Sequence, residues 1–378
     1  GFYVQVAHRI GAGDLTEARH VLRQSFISCI TFAVMLSAVG VAISQSLPHW
    51  LGGGEDICRD ASLYFLIFSL GIPFAQLNSL CSGMLRCSGN MHIPSLLNIL
   101  MCLLDVVFNY FLIFPSREVC GVMVPGANLG VAGAGLGTLL SFIVCSLTMC
   151  WFVCVRSREL NLRQDTGTFR PQRHTLREAV RIALPLAVEH IVLCGAQIVS
   201  TIIVAPLGTV AIAANSFGIT VEALCYMPGY GISDAATALV GQSLGAKRPR
   251  LARSFGRITV GMGIAIMTVM AVVMYVFSPA LMSVMTPDES VRALTVSVLR
   301  IEALAEPMFA ASIVCYGVFV GAGDTLIPCS MNLGSIWVVR IVLAALLAGT
   351  MGLQGVWIAM AIELTFRGII FLLRFRTD

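Results

Sequence analysis

The sequence predicts an all-α polytopic membrane protein: two pseudo-symmetric helical bundles, about ten transmembrane helices present and twelve in the intact protein. Composition is the first reason. Of 378 residues, 57% are hydrophobic and only 12% charged, against roughly a quarter charged in ordinary soluble domains, and the mean hydropathy is +0.87. The second is continuity. No Asp, Glu, Lys or Arg occurs from Gln24 to Gly54, Ala61 to Leu85, Val119 to Val155, His190 to Val221 or Ile258 to Pro287, and each stretch reaches the ~20 residues that cross a bilayer as helix. The third is an internal repeat at an offset of 234 residues.

Charged or Gly/Pro-rich segments bound ten expected helices, at 24–47, 61–85, 93–114, 129–155, 182–204, 210–240, 258–281, 293–320, 326–348 and 352–373. With the first segment cytoplasmic, that side collects Arg9, Arg19, Arg23, Arg86, the seven arginines from Arg156 to Arg181, the five bases from Lys247 to Arg257, and Arg374 and Arg376. The opposite loops hold Arg59, Arg117 and Arg292, and the helices Arg300, Arg340 and Arg367. The positive-inside rule selects this orientation. The expected organisation is an N-terminal lobe at 1–155 with four helices, a cytoplasmic linker at 156–181 and a C-terminal lobe at 182–378 with six. It is expected as a monomer in the plasma (inner) membrane, with its C-terminus cytoplasmic. The net charge of +4 resides in these few segments, so no nucleic-acid partner is expected. The thirteen cysteines are mostly inside apolar runs, without a CxxC pair, and read as small apolar packing groups. Cys58 and Cys120 fall in expected loops on one side, where a pairing is open.

At the 234-residue offset Pro73, Cys81, Gly83, Gly89, Ile93, Pro94 and Asn98 fall on Pro307, Cys315, Gly317, Gly323, Ile327, Pro328 and Asn332, and Val6, Gly11, Ala12, Ala18 and Arg19 fall on Val240, Gly245, Ala246, Ala252 and Arg253. Shared apolar composition does not place Pro, Gly and Asn in register, so the chain reads as a duplication. Its halves share one topology, related by an axis along the membrane normal. The unmatched 176–234 has counterparts only upstream of Gly1, which gives the expectation of two further helices there, roughly sixty residues by this offset.

An ionisable group at bilayer depth faces a cavity or a partner. Asp105, Glu189, Glu222, Asp234, Glu302, Glu306 and Glu363 qualify. Asp105 and Asn109 share a helix face one turn apart; such oxygens suit Na+ or a proton, or else structural hydrogen bonds to neighbouring helices. Glu189 follows Pro185 by four residues, where the proline frees a carbonyl and makes room for water. It reads as ion- or substrate-coupled, with a pair to an interior arginine such as Arg340 as the rival. Glu302 and Glu306 share a face ahead of Pro307 as possible cavity or ion-site residues, along with Glu222; Glu302 could equally pair with Arg300. Glu363 and Arg367 have the spacing of a helix-surface pair. Pro185 in the seventh helix, and Pro228 and Gly229, in Tyr226 to Gly231 of the eighth, are expected to break or hinge their helices.

Several segments resemble the multidrug and toxic compound extrusion (MATE) family: Arg9-Ile10-Gly11-Ala12-Gly13-Asp14 with Glu17-Ala18-Arg19, Leu85 to Asn90 before Pro94, Leu129 to Ala134, Gly208 to Ala214, Gly241 to Ala246, and Gly321 to Thr325. The resemblance covers essentially the whole chain. It implies two six-helix lobes in a V that rock between inward-open and outward-open states, exchanging Na+ or H+ for small organic, often cationic, substrates, with no other cofactor or metal. The family's first-lobe ion site has an Asn and an Asp four apart on the fifth helix, a Thr on the sixth and an Asp on the first. Here acid and amide are exchanged as Asp105 and Asn109, Thr138 matches the sixth-helix position, and the first-helix position precedes Gly1. Tyr64 falls near an aromatic position bordering that site. Some members carry a functional seventh-helix acid near Glu189.

Enzyme-like patterns have better accounts. Gly11 to Asp14 and Gly321 to Asp324 read GxGD, as in intramembrane aspartyl proteases, but both fall in expected loops. Gly133 to Gly137 imitates a dinucleotide loop, yet it opens an apolar helix with no strand before it, which points to close helix packing. There is no HExxH, GxSxG or phosphate-binding GKT/S. The alternatives to an antiporter are a lipid-linked oligosaccharide flippase of related architecture, which calls for more intramembrane basic residues, and a membrane-embedded enzyme.

Overall fold

In the computed structural model, residues 1–50, 55–119, 122–164, 167, 169, 170 and 172–377 are described. They fall into two compact units, Phe2–Leu176 and Arg177–Asp378 with Gly1. The first holds α1 (Phe2–Gly11), α2 (Leu15–Ile43), α3 (Glu55–Cys87), α4 (His92–Ile113), the hairpin β1 (Pro115–Val119) and β2 (Val122–Ala127), and α5 (Gly130–Trp151), which runs on into a π-helical turn at Phe152–Arg156. Then come α6 (Arg173–Val204), in whose first turn the division falls, α7 (Thr209–Gly245), α8 (Pro249–Met285), α9 (Glu289–Ala303), α10 (Glu306–Gly321), α11 (Leu326–Gly334), a π-helical segment Ser335–Ile341, and α12 (Val342–Thr377).

Among the described residues eight helical stretches are long and apolar enough to cross a bilayer, and α9 with α10, bent by 57°, makes a ninth. The last of the eight, Leu326–Thr377, has 52 residues. At 1.5 Å per residue that is well over twice the ~30 Å hydrocarbon thickness. It is divided at Gly352, whose φ of +61° lies outside helical space, and this restores the ten expected spans. Large apolar side chains point outward on these helices, among them Phe32, Ile191 and Val269, each more than 60% exposed, as lipid-facing positions require.

The repeat is visible in the backbone. Helices begin at Leu15 and Pro249, and at His92 and Leu326, each pair 234 apart. Helix ends repeat as well: the N–H of Asp14 reaches the carbonyl of Arg9, and that of Arg248 the carbonyl of Ser243; Asn90 to Leu85 is matched by Asp324 to Phe319. These bonds close over a left-handed residue. That residue is Gly13 (φ +77°) and Lys247 (φ +56°) in the first pair, and Gly89 (φ +85°) and Gly323 (φ +83°) in the second. The GxGD segments are thus helix caps. Asp14 Oδ1 accepts from the backbone N–H of Glu17 at 3.1 Å, and Asp324 pairs with Arg374.

The structure departs from the sequence reading in several places. The segment at 115–128, expected as loop, contains an antiparallel hairpin pairing Pro115 with Ala127 and Arg117 with Val124; a Cβ on Gly126 would stand 2.2 Å from the Phe114 carbonyl oxygen. Cys58 lies in α3 rather than a loop, and Cys120 lies outside the described residues. Part of the 156–181 segment is helix, because α6 begins at Arg173. Ahead of it, Arg19 donates to the Glu159 carbonyl and to Gln164, and Arg23 to the Leu162 carbonyl; Gln5 donates to the Thr175 carbonyl in the first turn of α6.

The expected breaks at Pro185 and at Pro228 and Gly229 do not occur, and α6 and α7 run as helix through Pro185 and Pro228. A membrane helix tolerates an internal proline when neighbours or small local adjustments satisfy the freed carbonyl. Gly229 instead admits a neighbour, since a Cβ there would stand 2.4 Å from Met267 Sδ on α8. The break lies between Ala303 and Glu306, where Pro307 occupies the first turn of α10, a position that suits its missing N–H.

The glycines at the start of α5 bring it against α4. A Cβ on Gly133 would stand 2.5 Å from the Leu112 carbonyl oxygen, and one on Gly137 2.2 Å from Asn109 Oδ1. Gly133→Val is expected to lower the stability of the Phe2–Leu176 unit by about 1–3 kcal/mol through overpacking. Gly261→Ala, on a part of α8 with open space around it, is expected to be neutral or to stabilise by up to about 1 kcal/mol. Thermal unfolding in detergent measures both.

Candidate functional site

The four expected ion-site residues of the first unit occupy adjoining places. Asp105 and Asn109 lie one turn apart on α4, each half-buried, and each with a buried Oδ1 that has no hydrogen-bond partner. Asn109 packs on Gly137, next to Thr138 on α5. Thr138 turns its hydroxyl to the Ala134 carbonyl at 3.2 Å and, with Tyr64 from α3, lines an almost wholly apolar hollow of about 150 Å³. Asp105 and Asn109 are not among the residues lining it.

The second unit concentrates its polar groups differently. Glu189 on α6 is buried and accepts three hydrogen bonds: from Tyr316 OH at 2.5 Å and Cys329 Sγ at 2.9 Å on Oε2, and from Asn332 Nδ2 at 2.7 Å on Oε1. The donors come from α10 and α11 and are all neutral. Glu189 lines a hollow of about 130 Å³ with His190, Tyr230, Phe309, Tyr316 and Arg367. Asn332 is the repeat counterpart of Asn98, which in the first unit accepts from Asn78 Nδ2 at 3.4 Å. One amide position therefore serves an amide pair in one copy and a carboxylate in the other.

Arg340, the expected rival partner of Glu189, is engaged elsewhere. Its Nη2 lies 3.0 Å from Glu363 Oε2, while Arg367 Nε lies 3.1 Å from Glu363 Oε1 and Ser335 Oγ donates to the same oxygen at 2.7 Å. Glu363 and Arg367 do pair, but as part of a buried cluster: Glu363 is fully buried and Arg367 9% exposed. The surface reading is thereby corrected. Spacing alone misses Arg340, which approaches from the π-helical segment. Arg300 stacks 5.2 Å from the Tyr275 ring centroid and leaves Glu302 unpaired. Glu222, Glu302 and Glu306 are all buried.

Sequence spacing finds Glu189 but not its donors, which lie 127 to 143 residues away. The available signal is the repeat, which singles out Asn332. Ser335 and Arg340 carry no such signal.

Ten spans in two repeated units, with carboxylates held inside helical bundles, define a polytopic membrane transporter. A family model described as MatE matches residues 1–111 and 185–346, and the chain belongs to that family. It is 27% identical over 384 residues to a probable multidrug resistance protein NorM of Thermotoga maritima, covering 99% of this chain and 79% of that relative. It is 24% identical to an uncharacterized transporter, YisQ, of Bacillus subtilis, of which it spans 81%. Among solved structures, a MOP superfamily transporter from Pyrococcus furiosus superposes with a TM-score of 0.89 at 21% identity, and the Vibrio cholerae MATE transporter VcmN in its bent form with 0.85 at 19%; the match covers all of this chain and 82% of each. These likenesses show the fold.

Removing one member of a buried ionic cluster strands the others, at about 3–5 kcal/mol. Glu363→Ala is expected to lower stability by that amount, whereas Tyr316→Phe, which removes one of three donors to Glu189, costs about 1–3 kcal/mol. Thermal unfolding in detergent separates the two.

Proposed function

We propose that this protein is a secondary-active exporter of small organic, mainly cationic, compounds, driven by antiport of Na+ or H+ through alternating access. Glu189 is its principal coupling residue. One observation carries the reading: Glu189 is held by three neutral donors, with no arginine or lysine bound to it. A carboxylate paired to a fixed guanidinium is locked, while one supported by dipoles keeps its negative charge available to a mobile cation. Tyr230 and Phe309 beside it offer the aromatic faces that attract an organic cation. Arg367, also in that wall and within electrostatic reach of Glu189, is bonded to Glu363, which it shares with Arg340.

Asp105 and Asn109 are proposed as a further ion site in the first unit, with Thr138 and Tyr64 beside it; their unpartnered buried oxygens support this. Coupling follows if ion and substrate compete for the same carboxylates or favour opposite states. The protein is proposed to work as a monomer in the plasma membrane, with the 156–181 segment and the C-terminus on the cytoplasmic side, as the distribution of basic residues supports. The relatives named as multidrug resistance proteins favour a broad substrate range.

In proteoliposomes, a fluorescent organic cation is expected to move against its gradient when a proton or a Na+ gradient is imposed. Glu189→Gln is expected to cut that gradient-driven component at least about tenfold, roughly what one lost charge interaction supplies, and Asp105→Asn is expected to reduce it as well. Transport indifferent to both gradients would refute antiport, and unaltered gradient dependence in both variants would remove these residues from coupling.

A further inference from the structure

The second unit buries five carboxylates, Glu189, Glu222, Glu302, Glu306 and Glu363. Two are accounted for, Glu189 by neutral donors and Glu363 by Arg340 and Arg367. Glu302 and Glu306 are fully buried, and none of their four oxygens has a hydrogen-bond partner. They flank the one sharply bent span among the described residues: Glu302 stands in the last turn of α9 and Glu306 in the first turn of α10, across the 57° bend. A discontinuous helix inside a transporter is where membrane proteins place ion sites.

The duplication supplies an independent comparison. At the 234-residue offset Glu302 and Glu306 fall on Phe68 and Ile72. In the first unit these lie in the unbroken helix α3 and line the apolar hollow beside Tyr64 and Thr138. Two wall positions that are apolar in one copy are thus carboxylic in the other, and the acids come with a broken helix. Neither packing nor a structural ion pair explains them, because no partner reaches their oxygens.

The surroundings decide what they take. Glu222, Cys225 and Tyr226 of α7 lie within electrostatic reach, as do Arg340 of the π-helical segment and Glu363 of α12. Arg367 lies within reach of Glu222. Both arginines are already committed to Glu363. Among the described residues no three carboxylate, thiol or imidazole groups converge as metal ligands, and no side chain hydrogen-bonds to either acid. A proton needs a single oxygen. Binding it turns a carboxylate into a neutral acid, which removes the large cost of an unpaired charge in an apolar interior.

We propose that Glu302 and Glu306 form a proton-binding site of the second unit, separate from Glu189, with both carboxyls protonated in the state described. The step is association alone: each carboxylate takes one proton from water, and returns it when the site opens to solvent. For its use in transport the proposal rests on the antiport reading and names the proton as the ion of this unit; for its existence it does not.

Infrared difference spectroscopy of the purified protein, without substrate, tests it. At neutral pH the wild type is expected to show the carbonyl stretch of protonated carboxylic acid. Glu302→Gln and Glu306→Gln should each remove part of that absorption and the double variant both parts, while Glu189→Gln leaves those parts in place. Glutamine is nearly isosteric with the neutral acid, so both variants should keep the wild-type thermal midpoint; a variant that fails to fold argues for an ionised, partnered group and overturns the proposal. Independently, titrating the wild type to alkaline pH should bleach the band. Loss of carboxylate rather than carboxylic absorption in the variants, or an unchanged spectrum, also overturns it. If transport ignores both cation gradients while the band is present, the antiport reading fails and the site stands. If transport follows the proton gradient and the band is absent, the site fails and antiport stands.

Discussion

A carboxylate placed inside a bilayer needs a donor, a cation or a proton, because the apolar interior solvates no bare charge. Much of the second unit can be read as three answers to that requirement. Glu363 is met by two guanidiniums and a serine hydroxyl, which makes a rigid internal joint between α12 and the π-helical segment. Glu189 is hydrogen-bonded by neutral donors only, which fix its geometry without a bound guanidinium, Arg367 standing across the same hollow. Glu302 and Glu306 are met by no side chain at all, which leaves the proton. The proposed ion chemistry belongs to the second and third answers, while the first ties helices together.

The helical framework gives these groups their places. Both copies of the repeat start their helices in register and end them with the same left-handed caps, so one backbone plan is used twice. Differences between copies are then informative in a way that a single bundle would not permit. Asn98 and Asn332 occupy one position, yet one faces an amide and the other a carboxylate. Phe68 and Ile72 occupy the positions of Glu302 and Glu306, and the helix that carries the acids is the one that breaks.

Much of this architecture was legible in the sequence, because lipid imposes long apolar runs and duplication imposes register. The ends of helices were less so. Leu15 to Gln24 and Arg173 to Arg181 are helical beyond the apolar limit, since Arg19 and Arg23 find carbonyls in the 156–181 segment that hydropathy does not see. The bend at 303–306 lies inside the single helix expected at 293–320, because the two pieces together have the length and composition of one span, although Pro307 behind an acidic residue is a helix-start signal. Pro228 misled in the opposite direction, since proline marks a break only where neighbours leave the freed carbonyl unanswered. Of the site, the acids were visible as charges in apolar surroundings. Their partners were not, because Tyr316, Cys329 and Arg340 reach them only through tertiary packing.

The central claim is that a mobile cation and an organic cation draw on the same buried carboxylates. It is tested most directly by the affinity of the purified protein for tetraphenylphosphonium, measured by equilibrium dialysis across a series of pH values and Na+ concentrations. The account predicts that binding weakens as protons or Na+ rise, and that Glu189→Gln flattens this dependence. An affinity that stays constant across both series in the wild type would contradict it.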